Sequence, residues 1–357
     1  MSYRYFILLY SGGITMSLKT LKYRGLKNMR AQAGISLVEI LVSLVISLFL
    51  LGGIISVYVG NTTTYRFANA LSQVQENGRF ALDTITQDLR AVGDWGCINF
   101  NPANVANINN TLNIVGANAA LNDFLGNPPV LGTNDAGGLG TSDTITISGS
   151  QPGQVNIAAP FSTTAQTFVT VNTVGPFVVG DVALITRCGP NDGPTVEAEI
   201  FRVTGIVNAS GRLTHATALS QIYRNDATLK RLQTVTYSLA VGNGGEPTLW
   251  RSVFGVNLQL IQGIEDMQIL YGIDTDGVNT AGQNYANQYV TANNVANFRT
   301  VVSIRIMLLV RSTDAFVTDT PQVIPFNGAA DANPGDRRIR QVFTTTIALR
   351  NRAGIAR

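Results

Sequence analysis

The stretch RAQAGISLVEILVSLVISLFLLGGIISVYV, residues 30–59, determines the architecture of this 357-residue chain. From Ile35 to Val59 it contains no proline, lysine or arginine, and its polar side chains are Glu39 and four serines. A helix of this length, rising about 1.5 Å per residue, is about 37 Å long. The hydrocarbon core of a bilayer is about 30 Å thick, so the sequence predicts a single transmembrane helix with some tilt.

Glu39 is the one ionisable residue of this apolar segment, and the chain before it is strongly basic. A charged acid deep in a bilayer costs about 3 kcal/mol on insertion scales, so such a residue usually faces a partner. The cations that precede it, with no acid among them, are Arg4, Lys19, Lys22, Arg24, Lys27 and Arg30. The positive-inside rule then predicts a cytoplasmic amino terminus and export of everything after Val59.

Small residues lie before the apolar segment, whereas an ordinary secretory signal has its cleavage site after that segment. The string AGISLVEI resembles the class III signal of type IV pilins, although Ile35 stands where phenylalanine is commoner. The resemblance implies cleavage after Gly34 by the prepilin peptidase and methylation of the new amine on Ile35. It also implies that Glu39, fifth in the mature chain, acts in filament assembly. A plain single-pass anchor is the alternative.

The resemblance makes residues 1–34 a leader peptide, which is long for that family. A start at Met16 or Met29 would shorten it, and the sequence leaves the start site open. The implied location is the inner membrane, with the amino terminus in the cytoplasm and a periplasmic head that enters the pilus near its tip.

The helix is predicted to continue beyond the membrane. Apolar and small residues recur every three or four positions from Phe67 to Val92, and no proline occurs between Ile35 and Phe100. The pattern predicts one helix of nearly sixty residues whose second half packs against a head. Glycines at 52, 53 and 60 are predicted weak points where it could bend or unwind, because each costs about 1 kcal/mol in a helix.

Residues 99–142 are rich in asparagine, glycine and alanine, which indicates mostly loop, with short helical pieces near residues 117–125. From Asp143 onward, β patterns dominate. The predicted strands are Thr144–Ser148, Thr167–Val171, Val178–Thr186, Glu199–Val207, Thr234–Val241, Thr248–Val253, Met267–Ile273, Thr300–Arg311 and Gln341–Arg350.

A helix followed by strands, rather than alternating units, indicates an α+β fold. The expected architecture is pilin-like, with a long amino-terminal helix packed on an antiparallel β-sheet head that carries large loops. The predicted parts are the leader at 1–34, the transmembrane half-helix at 35–59, the amphipathic half-helix at 60–96 and the periplasmic β-rich head at 97–357.

The second half of the chain narrows the resemblance to minor pilins of the PilW type. Three segments resemble their carboxy-terminal signature: GIEDMQILYGIDTDGVNTAGQNY at 263–285, VVSIRIMLLVRS at 301–312 and QVFTTTIALRNR at 341–352. Residues 83–97 and 180–189 resemble the helix end and cysteine segments of that family.

The resemblance implies a non-enzymatic subunit that helps to prime and cap a type IV pilus, with consequences for twitching motility, cell adhesion and DNA uptake. Its implied partners are other minor pilins, the major pilin, the prepilin peptidase and inner-membrane lipid. A J-type pseudopilin of type II secretion is one alternative, and a membrane-anchored adhesin or ligand-binding module is another.

Charge argues against a nucleic-acid-binding domain. Removing the six leader cations and Glu39 from the net charge of +3 leaves −2 for the remainder. Arg337, Arg338 and Arg340 form the one dense basic cluster. A solvated strand entry is the predicted role of this cluster, and contact with DNA or an acidic partner is the alternative.

Cys97 and Cys188 are the two cysteines of the predicted head, and neither has the close cysteine or histidine spacing of a zinc site. Because the periplasm is oxidising, a disulfide between them is predicted. Closing so long a loop contributes about 4 to 5 kcal/mol in the chain-entropy description.

Catalytic motifs are lacking in the sequence, so no enzyme activity, cofactor or small-molecule substrate is predicted. His215 is the one histidine, and a surface or structural role is expected for it. Asp274 and Asp276 weakly suggest calcium, yet Val278 stands where an EF-hand needs a ligand. An ordinary Asp-Gly turn is the alternative, and Glu265 and Asp266 need no catalytic role.

Overall fold

The computed structural model describes Gly34 and residues 36–96, 108–110, 112, 128–136, 142–187, 198–275, 285–326, 329–330 and 335–349. The chain divides into two compact units with the boundary between Val59 and Gly60. The second unit contains every described strand.

Helix α1 runs from Leu37 to Arg90 without interruption, 54 residues compared with the predicted sixty. It continues through the glycines at 52, 53 and 60, so the local unwinding that these residues suggested does not occur there. Helix formation is cooperative, and three isolated penalties of about 1 kcal/mol are small beside the hydrogen bonds of so long a helix.

The described strands are β1 (Ile108–Asn110), β2 (Val130–Thr133), β3 (Thr144–Asn156), β4 (Phe168–Thr170), β5 (Val182–Arg187), β6 (Ala198–Val207), β7 (Arg212–His215), β8 (Ala227–Val241), β9 (Pro247–Val253), β10 (Val256–Gln262), β11 (Ile264–Ile273), β12 (Gln288–Val290), β13 (Val301–Arg311), β14 (Pro325–Phe326), β15 (Ala329–Ala330) and β16 (Arg340–Ala348). The predicted α+β fold, with one long helix and antiparallel sheets, is confirmed. The predicted helical pieces near residues 117–125 lie outside the described residues.

The larger sheet is arranged around β8. Strands β10, β9, β8, β5, β6, β7 and β4 follow one another across it, while β3 also pairs with β8, β2 with β3, and β1 with β6. The β1–β6 pairing is parallel, and the other pairings between the described strands of this sheet are antiparallel. Strand β8 begins at Ala227, seven residues before the predicted Thr234, because that added part is buried between β3 and β5.

A second sheet has the order β12, β11, β13, β16 and is antiparallel throughout. It contains the segments at 264–273, 301–311 and 340–348, so the three stretches of the predicted carboxy-terminal signature are neighbours in one sheet. The short strands β14 and β15 pair with each other.

The main core forms where α1 meets both sheets. The buried positions of α1, spaced by three or four residues, are Ala70, Val74, Gly78, Ala81, Ile85 and Leu89. They share one hydrophobic cluster with residues such as Tyr237 of β8, Tyr271 of β11 and Ile306 of β13. The amphipathic half-helix therefore packs against the head as the periodicity predicts, although Phe67 is 41% exposed and does not join the stripe.

A second hydrophobic cluster lies in the part of the larger sheet formed by β4 to β7. It includes Phe177, Ile185, Phe201, Leu213 and Leu229. The β-rich part of the chain thus has two cores within one compact unit.

The end of α1 is held against β3. Val92 forms an isolated β-bridge with Gly149, and the Gly93 amide donates to Ser148 O over 3.3 Å. A Cβ atom added at Gly149 would collide with the carbonyl oxygen of Ala91. Gly149 therefore permits a close approach of two backbones. A side chain at this position would clash with backbone atoms, and no rotamer change could relieve that clash.

We predict that Gly149→Ala lowers the free energy of unfolding by about 1 to 3 kcal/mol, the usual cost of overpacking. The comparison is Gly175→Ala, because an added Cβ there would meet Thr173 Oγ1 at an ordinary 3.5 Å. Denaturant unfolding of the full chain in detergent measures both variants. Equal stability of the two would contradict this account of the helix end.

Candidate functional site

The segment Leu37–Val59 of α1 presents an apolar surface on every side. Each of its residues is exposed, and its large apolar side chains are between 50% and 79% exposed, from Val45 to Phe49. Among the described residues, α1 is the one helix with the length and composition to cross a membrane, with a mean hydropathy of 2.7 in its most apolar window. A helix that is apolar all round needs an apolar surrounding.

Serines within this segment are compatible with such a surrounding. Ser43 Oγ donates to Glu39 O over 2.6 Å, and Ser47 Oγ donates to Ser43 O over 2.7 Å. Because each hydroxyl proton is bonded to the backbone one turn earlier, these polar groups do not require water.

Glu39 lies in the first turn of α1, a position that sequence reasoning did not identify. Its amide donates to Ser36 O over 3.0 Å, and the Ile40 amide donates to the same oxygen over 3.2 Å. An acid in the first turn interacts favourably with the helix dipole, typically by 0.3 to 1 kcal/mol. The helix itself thus partly compensates the acid that the sequence presents as unpartnered.

Gly34 is exposed, and an added Cβ there would meet no atom within 4 Å. A substitution at Gly34 therefore disturbs no packing in the described structure. Ile35, the other residue of the predicted cleavage and methylation site, lies outside the described residues.

The basic cluster differs from its predicted role. The side chain of Arg340 is 2% exposed, and that of Arg338 is 14% exposed. Arg337 is half-buried, with its guanidinium 4.9 Å from the centre of the Phe316 ring. The prediction of a solvated strand entry is wrong for Arg338 and Arg340, because acidic residues from other elements surround them.

These acids form a continuous ion-pair network with the arginines. Arg340 Nε donates to Glu265 Oε2 over 2.7 Å, and Arg340 Nη1 to Asp336 Oδ1 over 2.9 Å. The remaining bonds join Arg311 to Glu265 and Glu246, and Arg338 to Glu246 and Asp336. Burial alone would raise the pKa of Asp336, but the bonds from Arg340 and Arg338 lower it overall. The acids of the network neutralise the positive charge of Arg338 and Arg340, so these side chains are poorly suited to bind an external polyanion.

Another ion pair fastens α1 to the larger sheet. Asp88 accepts bonds from Tyr237 Oη over 2.6 Å and from Arg251 Nε over 2.8 Å. Burial raises the pKa of the Tyr237 hydroxyl far above its usual value, so Tyr237 remains a donor. No sequence signal separated Asp88 from the other polar residues of the helix, since the pairing depends on two strands more than 140 positions away.

The predicted cysteine pair lies outside the described residues, but its chain neighbours are described. An added Cβ at Gly96 would lie 2.8 Å from Thr186 Oγ1. Gly96, the residue before Cys97, is therefore close to Thr186 of β5, which is two positions before Cys188. Asp94 accepts from the Gly96 amide over 3.0 Å and from Lys230 Nζ over 2.8 Å. Burial alone would raise the pKa of Asp94, but the hydrogen bonds from Lys230, Gly96 and Ser150, with the charge of Lys230, together lower it overall.

His215 is buried in β7, in keeping with a structural role. Its Nδ1 lies 2.7 Å from Thr217 O, and its ring centre lies 4.8 Å from that of Phe201. Burial lowers the pKa of His215, so the ring is neutral at neutral pH.

Two further acids lie close together beside the start of β11. Asp143 accepts from the Ile269 amide over 2.7 Å, and Asp266 accepts from the Met267 amide over 2.7 Å. Burial, with smaller contributions from the charges of Asp143 and Asp135, raises the pKa of Asp266 to about 6. Since this value exceeds the unfolded one, Asp266 lowers the free energy of unfolding as pH rises from about 4 to 6.

Asp274 is buried, and Asp276 lies outside the described residues. Within the described ranges, no group of three or more histidine, cysteine, aspartate or glutamate side chains is placed to hold a metal ion. The calcium suggestion therefore gains no support from Asp274.

Two segments of the chain match models of known protein families. Residues 236–351 match the family described as Type IV Pilus-assembly protein W, and residues 29–55 match the Prokaryotic N-terminal methylation motif. One similar solved structure is the Type IV-like pilin TTHA1219 from Thermus thermophilus, at 14% identity over 49% of this chain and 85% of that one, with a TM-score of 0.20. No curated protein matches the sequence. The two family matches confirm the resemblance to a type IV pilus minor pilin.

We predict that Arg340→Leu lowers the free energy of unfolding by about 3 to 5 kcal/mol, because Glu265 and Asp336 would lose a buried partner. Arg337→Ala, three positions away, should cost less than about 1 kcal/mol. Urea unfolding of the full chain in detergent compares them. A smaller loss for Arg340→Leu than for Arg337→Ala would refute a structural role for the network.

Proposed function

We propose that this chain is a non-enzymatic minor pilin that helps to prime and cap type IV pilus assembly. The observation that carries the proposal is the half-helix Leu37–Val59, apolar and exposed on every side, with one acid in its first turn directly after a small-residue junction. The family matches at residues 29–55 and 236–351 support it at both ends of the chain.

The proposed mechanism uses the half-helix twice. In the inner membrane its exposed apolar side chains contact lipid, and the subunit waits there with its amino terminus in the cytoplasm and its head in the periplasm. During assembly the lipid contacts are exchanged for contacts with the helices of neighbouring pilins. Lipid and helix surfaces are similarly apolar, so packing and polar contacts decide the exchange.

Glu39 supplies such a polar contact in this mechanism. The amino-terminal amine that processing frees on an adjacent pilin, the counterpart of the Ile35 amine of this chain, would be a cation near the carboxylate of Glu39. A buried acid is tolerated when a cation pairs with it. Because a topmost subunit has no amine above it, the presence of Glu39 favours a place just beneath another minor pilin near the tip.

Processing is the first test. Changing Gly34 to a large or acidic residue should leave uncleaved precursor in the membrane. The precursor should still fold, because an added Cβ at Gly34 would meet no described atom within 4 Å. Amino-terminal sequencing and mass measurement of the membrane-extracted wild-type protein should give a methylated chain that begins at Ile35. Any other mature start would refute the cleavage site.

The second test separates assembly from insertion. Glu39→Ala should insert into the membrane at least as well as the wild type, because it removes an acid that costs about 3 kcal/mol in lipid. It should nevertheless give fewer surface pili and fewer crosslinks to other minor pilins. Glu39→Asp, which keeps the charge, is the matched control and should retain most piliation. Wild-type piliation in Glu39→Ala would show that the head alone drives assembly.

A disulfide between Cys97 and Cys188 is proposed to join the segment that follows α1 to the residue directly after β5. The close approach of Gly96 to Thr186 supports it, since each cysteine is one or two residues further along.

The disulfide should make the unreduced protein migrate faster in electrophoresis, and Cys188→Ser should lower the stability of the head by about 4 kcal/mol. Cys97→Ser should have the same effect, and the double variant no additional one. Two free thiols in protein isolated from the periplasmic side would contradict the pairing.

A further inference from the structure

Strand β10 forms one edge of the larger sheet. In the part of the chain that the structure describes, it pairs with β9 alone. An edge strand leaves backbone N–H and C=O groups unpaired, and natural proteins usually protect such edges with charged side chains, proline, short strands or bulges. The sequence of β10, VNLQLIQ, has no charged residue and no proline over seven positions.

Its first half is especially accessible. Val256 is 73% exposed and Leu258 is 58% exposed, and both point to the same side of the strand because side chains alternate. A bulge interrupts the pairing with β9 between Gln259 and Ile261, so it lies toward the other end of the strand. The accessible half therefore has exposed aliphatic side chains. It pairs regularly with β9 on one side, and its other backbone edge is free of described strands.

The second half of β10 borders an uncharged cleft of about 580 Å³. Its polar lining consists of the amide side chains of Gln73, Asn77, Asn243, Gln259 and Gln262, with the hydroxyl of Thr313. The first two belong to α1, so β10 and the amphipathic half-helix form facing walls.

The amides of this cleft are oriented by bonds within the protein. Gln73 Oε1 accepts from Thr313 Oγ1 over 3.0 Å, and Gln259 Oε1 accepts from the backbone N–H of Asn243 over 3.1 Å. Asn77 Nδ2 donates to Gln262 O over 3.0 Å. With their oxygens engaged, Gln73 and Gln259 present amide donors, whereas Asn77 presents its carbonyl oxygen as an acceptor.

We propose that β10 and this cleft bind an extended, uncharged polypeptide segment of another protein subunit, which adds to the sheet as a further strand. The backbone of such a segment carries both donors and acceptors, as the edge and the amides require. Aliphatic side chains at alternate positions of the segment would pack on Val256 and Leu258. This binding goes beyond the proposed role in pilus assembly, since it uses the β-rich unit with its half-helix and does not involve the transmembrane half-helix.

A peptide fits these observations better than a neutral saccharide. Apart from Gln262 O, which accepts from Asn77, the edge extends from Val256 to Ile261, about 20 Å at about 3.4 Å per residue, which matches a chain of six or seven residues. Among the described residues, the lining of the cleft includes no aromatic ring on which a sugar could stack. The exposed aliphatic residues on β10 are likewise better suited to a strand with valine or isoleucine at every second position.

The experiment uses the full chain in detergent and a fluorescent, end-capped heptapeptide that alternates valine with threonine. Fluorescence anisotropy should show saturable binding to the wild type. Leu258→Lys places a charge at the edge and should weaken binding about tenfold or more. Val179→Lys is the matched control, because Val179 is 61% exposed in the loop between β4 and β5 and should leave binding unchanged.

Two methylated probes test the hydrogen bonds directly. In an added strand, alternate residues direct their N–H groups toward the neighbouring strand. Heptapeptides methylated on the odd or on the even backbone nitrogens should therefore differ, with only one of the pair retaining binding. Equal binding of both probes, or unchanged binding to Leu258→Lys, would overturn the proposal. So would binding of maltoheptaose in place of the peptide, or self-association of the chain through Leu258 without peptide binding.

Discussion

The β-rich unit depends on one interaction, the burial of a narrow apolar stripe of α1 against two sheets at once. Val74, Ile85 and Leu89 on the helix are fully buried, and they share a core with residues of both sheets. The stripe is narrow because the positions are three or four residues apart, and the other faces of this half-helix are mostly polar, with Phe67 and Phe80 as exposed exceptions. Asp88 adds a directional contact to this packing through Tyr237 and Arg251, so the rotation of the helix about its axis is specified as well as its position.

The sequence was informative where a pattern is local. The long helix, the order of most strands and the α+β class follow from periodicity that a short window reveals, and the structure confirms them. The contribution of Ala227 to β8 was missed, because a strand buried on both sides lacks the alternation that signals half-burial. The glycine at 149 also gave no signal, because its role is a contact with the distant carbonyl of Ala91.

The basic cluster shows why candidate sites are harder to predict than elements. Three arginines within four positions resemble a surface patch, and their partners lie far back in the chain, Glu246 in the turn before β9 and Glu265 in β11. Net charge counts such groups equally whether they face solvent or one another. For Glu39 the difficulty was the reverse: the acid was recognised, but its place in the first helical turn depends on where the helix begins.

The distribution of that ion-pair network along the chain has a consequence for export. Its members come from residues 246, 265, 311 and 336–340, and β16 completes the second sheet only at residue 348. In the topology proposed above, the residues after Val59 cross the membrane in sequence order, so the apolar stripe of α1 would be exported long before the strands that cover it. Folding of this region would then await the export of residues up to 348, since contacts between distant residues close late. Until then the stripe would be accessible to chaperones and proteases, so in the proposed topology the completion of export would act as a checkpoint for the protein.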